Sequence, residues 1–159
     1  MSDFLVAEIQ AKAPASRPVS LVPRLTPSSA IEFTSPPWLP AMERRVNELL
    51  LLQENWDGEG ASPINFECAM GAFAFLFTNS MHETPAPHMV PTSAGGVQIE
   101  WHSVGIDFEI RFDPNEPPTY YYFGADGKEI EGEVSEEPST VGSLLRALPT
   151  RNERIQPSR

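Results

Sequence analysis

The side chains best suited to acid–base or metal chemistry gather first in one short stretch. Asn55, Asp57, Glu59 and Gly60 stand at the first, third, fifth and sixth places of a calcium-loop pattern between two helical segments. That pattern closes on a bidentate carboxylate at its twelfth place. Here Phe66 occupies it, Glu67 comes one residue late, and Pro63 fills the ninth place. A cage without its strongest ligand holds calcium poorly, so the stretch reads as a tight glycine turn. In that turn Asp57 bonds nearby amides, Gly60 allows the bend and Trp56 packs inward. His82, His88 and His102 form no i, i+4 pair and there is no Cys-x-x-Cys, so no zinc site is expected. Cys68 lies on an apolar stripe, where a thiol behaves as a small hydrophobe. Nucleophile elbow, phosphate loop and dinucleotide fingerprint are all missing from the sequence. Gly95-Gly96 precedes a strand rather than a helix and reads as a turn. Glu100, Asp107 and Glu109 supply carboxylates, but a general acid–base pair needs a cleft that separates two pKa values, and alternating acids on an open sheet are solvated. The expectation is therefore no catalytic residue, no metal and no cofactor: a chain that is not an enzyme.

The elements that must position these residues follow from periodicity. Met42, Val46, Leu49 and Leu50 recur at helical spacing and predict a helix over residues 41–55. A second helix is expected to open with Ser62 as N-cap and Pro63 at its first position and to run to about residue 81. Its centre is nearly all apolar, which predicts burial on most sides. Pro85, Pro87 and Pro91 mark a connector with room for a short edge segment at 88–90. Val97, Ile99 and Trp101 then alternate with Gln98, Glu100 and His102. Ile106, Phe108, Ile110 and Phe112 alternate with Asp107, Glu109, Arg111 and Asp113. Two more strands are expected at 119–123 and 128–134, with Asp126-Gly127 as the turn between them. A last amphipathic helix spans 139–148. The expected fold is α+β: two N-terminal helices, a four-stranded antiparallel meander and a C-terminal helix, with the helices on one face of the sheet.

Composition limits the function classes. The 159 residues hold 11 Lys+Arg against 22 Asp+Glu, a net charge of −11. A phosphate-backbone binder needs clustered cations, and so does a polybasic membrane anchor. Neither is expected. One cysteine forms no internal disulfide, and no long apolar run or secretory leader stands out, so a cytoplasmic location is the expectation. The 17 prolines concentrate early. Residues 1–36 read as a Pro-rich flexible or extended tail, 37–149 as a single acidic α+β domain and 150–159 as a short basic C-terminal tail.

The acids are unevenly placed. Between residues 96 and 134 nine acids meet only two bases, which places most of the net charge on the sheet. Like charges on neighbouring strands cost stability, and a sheet needing only solubility would mix signs. The outward acids Glu100, Asp107, Glu109, Glu129, Glu131 and Glu133, with Tyr121 among them, read as a docking face for a basic protein, because complementary charge speeds encounter and selects partners.

Residues 52–64 (LQENWDGEGASPI) and 95–101 (GGVQIEW) resemble a recurring group of small bacterial and phage proteins. Those carry an Asn-Trp-Asp-Gly-x-Gly-Ala turn between helices and a Gly-Gly-x-x-x-Glu-Trp strand. The resemblance covers roughly residues 45–125. It implies a shared fold and a bacterial or mobile-element origin rather than an activity, and it points to Trp56, Asp57, Gly60, Glu100 and Trp101, with both tryptophans in the core. The combined expectation is an acidic inhibitor, antitoxin or immunity-type partner of a basic protein that handles nucleic acid, such as a nuclease or toxin, with carboxylates in place of phosphate charge. The alternatives are a small hydrolase with a carboxylate or metal site near the 55–60 loop, and a structural subunit of a larger assembly.

Overall fold

Alternating segments pair in chain order. The computed structural model describes residues 35–103 and 105–149. In it α1 (Leu39–Leu50) and α2 (Phe66–Asn79) precede β1 (His88–Pro91), β2 (Val97–Ser103), β3 (Ile106–Phe112), β4 (Thr119–Phe123) and β5 (Glu129–Glu133), and α3 (Pro138–Ala147) follows. The strands form one antiparallel sheet in the order β1-β2-β3-β4-β5. The architecture is α+β, with five strands rather than the expected four. The short edge segment is a full member of the sheet, running from His88 opposite Glu100 to Pro91 opposite Val97. Proline lacks an amide donor and is tolerated on an edge strand such as this one. Residues 1–34 of the expected N-terminal tail, and the C-terminal tail over 150–159, lie outside the described residues. No described helix is long and apolar enough to cross a membrane.

One face of the sheet builds the core. Val97 faces Phe112, Ile99 faces Ile110 and Trp101 faces Phe108 across β2 and β3. Tyr120 and Tyr122 of β4 extend the same side. The Trp101 and Phe108 rings stack with centroids 5.4 Å apart, and Tyr122 meets Phe108 edge-on at 6.1 Å. All three helices add to this cluster: Met42, Val46 and Leu49 from α1, Cys68, Ala69, Ala72 and Leu76 from α2, and Val141 and Leu145 from α3. Each large side chain buried this way contributes about 1.5–3 kcal/mol. Ala69 and Ala72 are small enough to let α2 lie close to the strands. Tyr120 also ties α3 down, its phenol donating to Glu137 Oε2 at 2.8 Å. Burial and then the Glu137 carboxylate push its pKa up to about 12, so it remains a donor.

Helix boundaries depart from the sequence expectation for local reasons. α1 ends at Leu50 rather than residue 55: Leu51 and Leu52 bond back three residues as a tightened last turn, and Leu51 is left exposed. Asn55 is already left-handed, at φ 62°. α2 starts at Phe66, and its cap is Asn65, whose side chain accepts from the Glu67 and Cys68 amides. Ser62, expected as the cap, instead gives its amide to Ser93 O at 3.0 Å. Residues 61–64 run extended and bury Ala61 and Ile64.

That extended segment docks on the β1–β2 turn. Asn65 N–H bonds Gly95 O at 2.8 Å. Gly95 takes φ 86°, and a side chain there would press on the Pro63 carbonyl. Beneath it Thr92 Oγ1 donates to Asp113 Oδ1 at 2.7 Å and accepts from Gly96 N–H at 2.9 Å. A methyl group on Gly96 would collide with Asp113 Oδ1 and the Phe112 carbonyl. The two sequence stretches that carry the resemblance therefore meet in space at this corner. Gly96→Ala is expected to destabilise the fold by about 1–3 kcal/mol through overpacking, read as a lowered urea midpoint at unchanged slope.

Candidate functional site

The sheet has a second face, and no described helix covers it. Registration fixes its occupants. One cross-strand row is His88, Glu100, Glu109, Tyr121 and Glu131. A second is Val90, Gln98, Arg111, Thr119 and Glu133. A third is His102, Asp107, Phe123 and Glu129. Glu100, Asp107, Glu109, Glu129, Glu131, Glu133 and Tyr121 thus share one side, with Phe123 beside them. None of these side chains is buried. Strands lie about 4.8 Å apart, and alternate residues about 6.8 Å apart along a strand, so the carboxylates form a dense grid. Half-buried Tyr121 and exposed Phe123 supply aromatic surface inside it, and aromatic side chains are favoured anchors of protein interfaces. A broad open depression of about 580 Å³ lies over Glu109, Tyr121, Glu131 and Glu133. It is open to solvent rather than an enclosed cavity.

Little on this face neutralises the acids. Arg111 is turned to Asp113 and Gln98 donates to Glu100 at 3.1 Å. Among the described residues, Glu109, Glu129, Glu131 and Glu133 make no ion pair. Glu100 and Glu109 stand directly opposite each other. The Tyr121 phenol holds its proton more tightly than a free tyrosine, first because of Glu129 beside it, then desolvation, then the charges of Glu129, Asp107 and Glu109.

His102 is the exception, and sequence reasoning missed it. Its Nε2 lies 2.7 Å from Glu100 Oε2 and its Nδ1 lies 2.9 Å from Asp107 Oδ1. Carboxylates only accept, so both contacts are satisfied together when the ring carries two protons. Asp107 and then Glu100 raise the His102 pKa, against a small opposing effect of desolvation. The period-two pattern puts His102 on the acidic face, but only the registration of β2 on β3 shows that it is bracketed.

The 55–60 loop uses its own oxygens. Asp57 Oδ1 accepts from the Glu59 and Ala61 amides at 2.8 and 3.1 Å, and these two bonds hold its pKa below the usual carboxylate range. Asn55 Oδ1 accepts from Gly60 N–H at 2.7 Å. Trp56 departs from the inward packing expected of it. It is half-buried, lies outside the core cluster and donates its indole N–H to Ser62 O at 3.1 Å. The tryptophan that does join Trp101 in the core is Trp38, ahead of α1. Trp101 fixes its indole on Pro85 O at 2.8 Å. Burial and then Asp113 and Glu67 push the Cys68 thiol pKa up, so the thiol stays protonated. Among the described residues no three His, Cys, Asp or Glu side chains converge to hold a metal ion.

No protein-family model, curated protein or solved structure matches this chain.

Two outcomes follow from the electrostatics of the face. The pKa of His102 is raised on folding, so its contribution to stability is complete below the ordinary histidine pKa of about 6.5 and is lost as pH climbs through the raised value. Denaturant melts across this window should show stability falling with pH, and His102→Gln should flatten that slope. Glu109→Gln removes a carboxylate facing Glu100 and should raise stability by about 0.2–1 kcal/mol, seen as a higher urea midpoint.

Proposed function

We propose that this protein is a non-enzymatic acidic docking domain. Its partner is a basic protein that handles nucleic acid, and the domain acts on it as an inhibitor, antitoxin or immunity-type protein. The observation that carries this reading is the sheet face that no described helix covers, on which six carboxylates stand with Tyr121 and Phe123 in adjoining rows. A surface needing only solubility would separate like charges, yet Glu100 stands opposite Glu109 while Arg111 pairs with Asp113. A cationic groove built for phosphates meets, on this face, a grid of negative charge on a rigid scaffold. The strands are already ordered, so binding does not have to fold the backbone that carries the acids. The aromatic pair gives the contact a desolvated centre, and the acids steer the approach.

The hydrolase alternative has less support, because Asp57 Oδ1 and Asn55 Oδ1 already accept from the loop's own amides. The test begins with the protein that co-purifies at low salt from the native host. Titration of that partner should show affinity falling steeply with salt. The combined variant Glu100→Lys, Asp107→Lys, Glu109→Lys, Glu129→Lys, Glu131→Lys and Glu133→Lys should weaken binding by at least ~100-fold, about 2.7 kcal/mol. A folded six-site variant that binds as tightly as the parent rules the reading out.

A further inference from the structure

Among the described residues a second surface is left uncovered, on the helical side of the sheet. α2 turns Cys68, Ala69, Ala72 and Leu76 into the core, but the expected burial on most sides does not hold. Phe66 is 64% exposed, Phe77 63%, Met81 52% and Met70 38%. With half-buried Phe73 and exposed Ala74, these residues recur at three- and four-residue intervals and form one stripe along the helix and just past its end. The stripe is opposite the buried side and so points away from the sheet. Glu67, at the N-terminal end, is the single charged residue of α2. A contiguous apolar patch of this kind marks a contact surface.

We infer that this stripe is the self-association face of the protein, where α2 of one copy packs antiparallel on α2 of a second. Two observations select a second copy over a foreign partner. The first is charge. Copies that each carry −11 repel one another wherever acids meet, and α2 offers a face nearly free of charge. Antiparallel packing also sends the two Glu67 side chains to opposite ends. A basic partner gains nothing from a surface without carboxylates. The second is shape. A two-fold axis at the Phe73–Ala74 bond sets Phe66 against Met81, Met70 against Phe77 and Phe73 against Ala74. Each ring then meets a flexible or slender neighbour rather than another ring. An isologous interface requires such self-complementarity, and methionine fits itself well to aromatic faces. The helix is about 21 Å long, so the contact falls below the roughly 800 Å² per partner of a standard interface. The dimer is therefore weak and reversible, with a Kd on the order of 10–100 µM.

Sedimentation equilibrium of the full chain tests this from about 5 µM to 0.5 mM, a range that brackets the expected Kd. The parent should shift from monomer to dimer. Phe77→Lys and Met70→Glu should each weaken association at least ~10-fold, about 1.4 kcal/mol. An equimolar mixture of the two variants should dimerise again, since the ammonium introduced in one chain then faces the carboxylate introduced in the other. Phe66→Gln, at the end of the stripe, provides a milder loss should either charged variant fail to fold by circular dichroism. A parent that stays monomeric throughout overturns the inference. So does a folded Phe77→Lys or Phe66→Gln chain that dimerises like the parent, or a mixture that associates no better than its components.

Discussion

The registration of β2 on β3 governs the rest of the molecule. Side chains on a strand alternate with a period of two, so a slip by one residue would set the apolar side of one strand, Ile99 and Trp101 or Phe108 and Ile110, beside the acidic side of the other, Asp107 and Glu109 or Glu100. The register is held at both ends. At one end Ser103 faces Ile106 across a two-residue connection that ends in Gly105 at φ 74°. At the other, the Thr92–Asp113 hydrogen bond links the β1–β2 turn to the end of β3. Between these points Ile99 and Ile110 are fully buried, so the apolar face and the acidic face are two results of a single pairing.

The glycine-rich loop and the double glycine belong to the same constraint. Both hold the fold together where the chain turns. The loop closes on its own amides, then carries residues 61–65 across the β1–β2 turn, where Ser62 and Asn65 hydrogen-bond to Ser93 and Gly95. In this way the start of α2 is fixed by the sheet together with its Asn65 cap. The helix then presents one side to the strands and the other to solvent.

Much of this was legible in the sequence, because the strongest signals are local. β2 and β3 alternate cleanly over seven residues each, so their inward and outward sets, and the sidedness of the acids, could be read directly. β1 could not be read with the same assurance, since four residues among prolines carry too little pattern. The start of α2 was misread because a Ser-Pro pair is a good local opening, whereas the bonds that keep it extended come from residues about thirty positions later. α2 also defeated the reading of burial. A helix apolar on every side gives no periodic clue to which side faces water. Trp38 was overlooked beside Pro36 and Pro37, which resemble a continuing tail. The bracketing of His102 depends on pairing between strands, which a single strand's pattern does not contain.

The sheet's two margins have a further consequence. β1 is four residues long and ends in proline, and Arg45 Nε takes its Met89 carbonyl at 2.8 Å. β5 places Glu129, Glu131 and Glu133 along its whole length. An incoming strand would meet a missing donor on one side and a fence of like charge on the other, two devices that stop edge-to-edge growth. Both edges of the described sheet therefore discourage the pairing of a further strand, which is the first step of fibril growth.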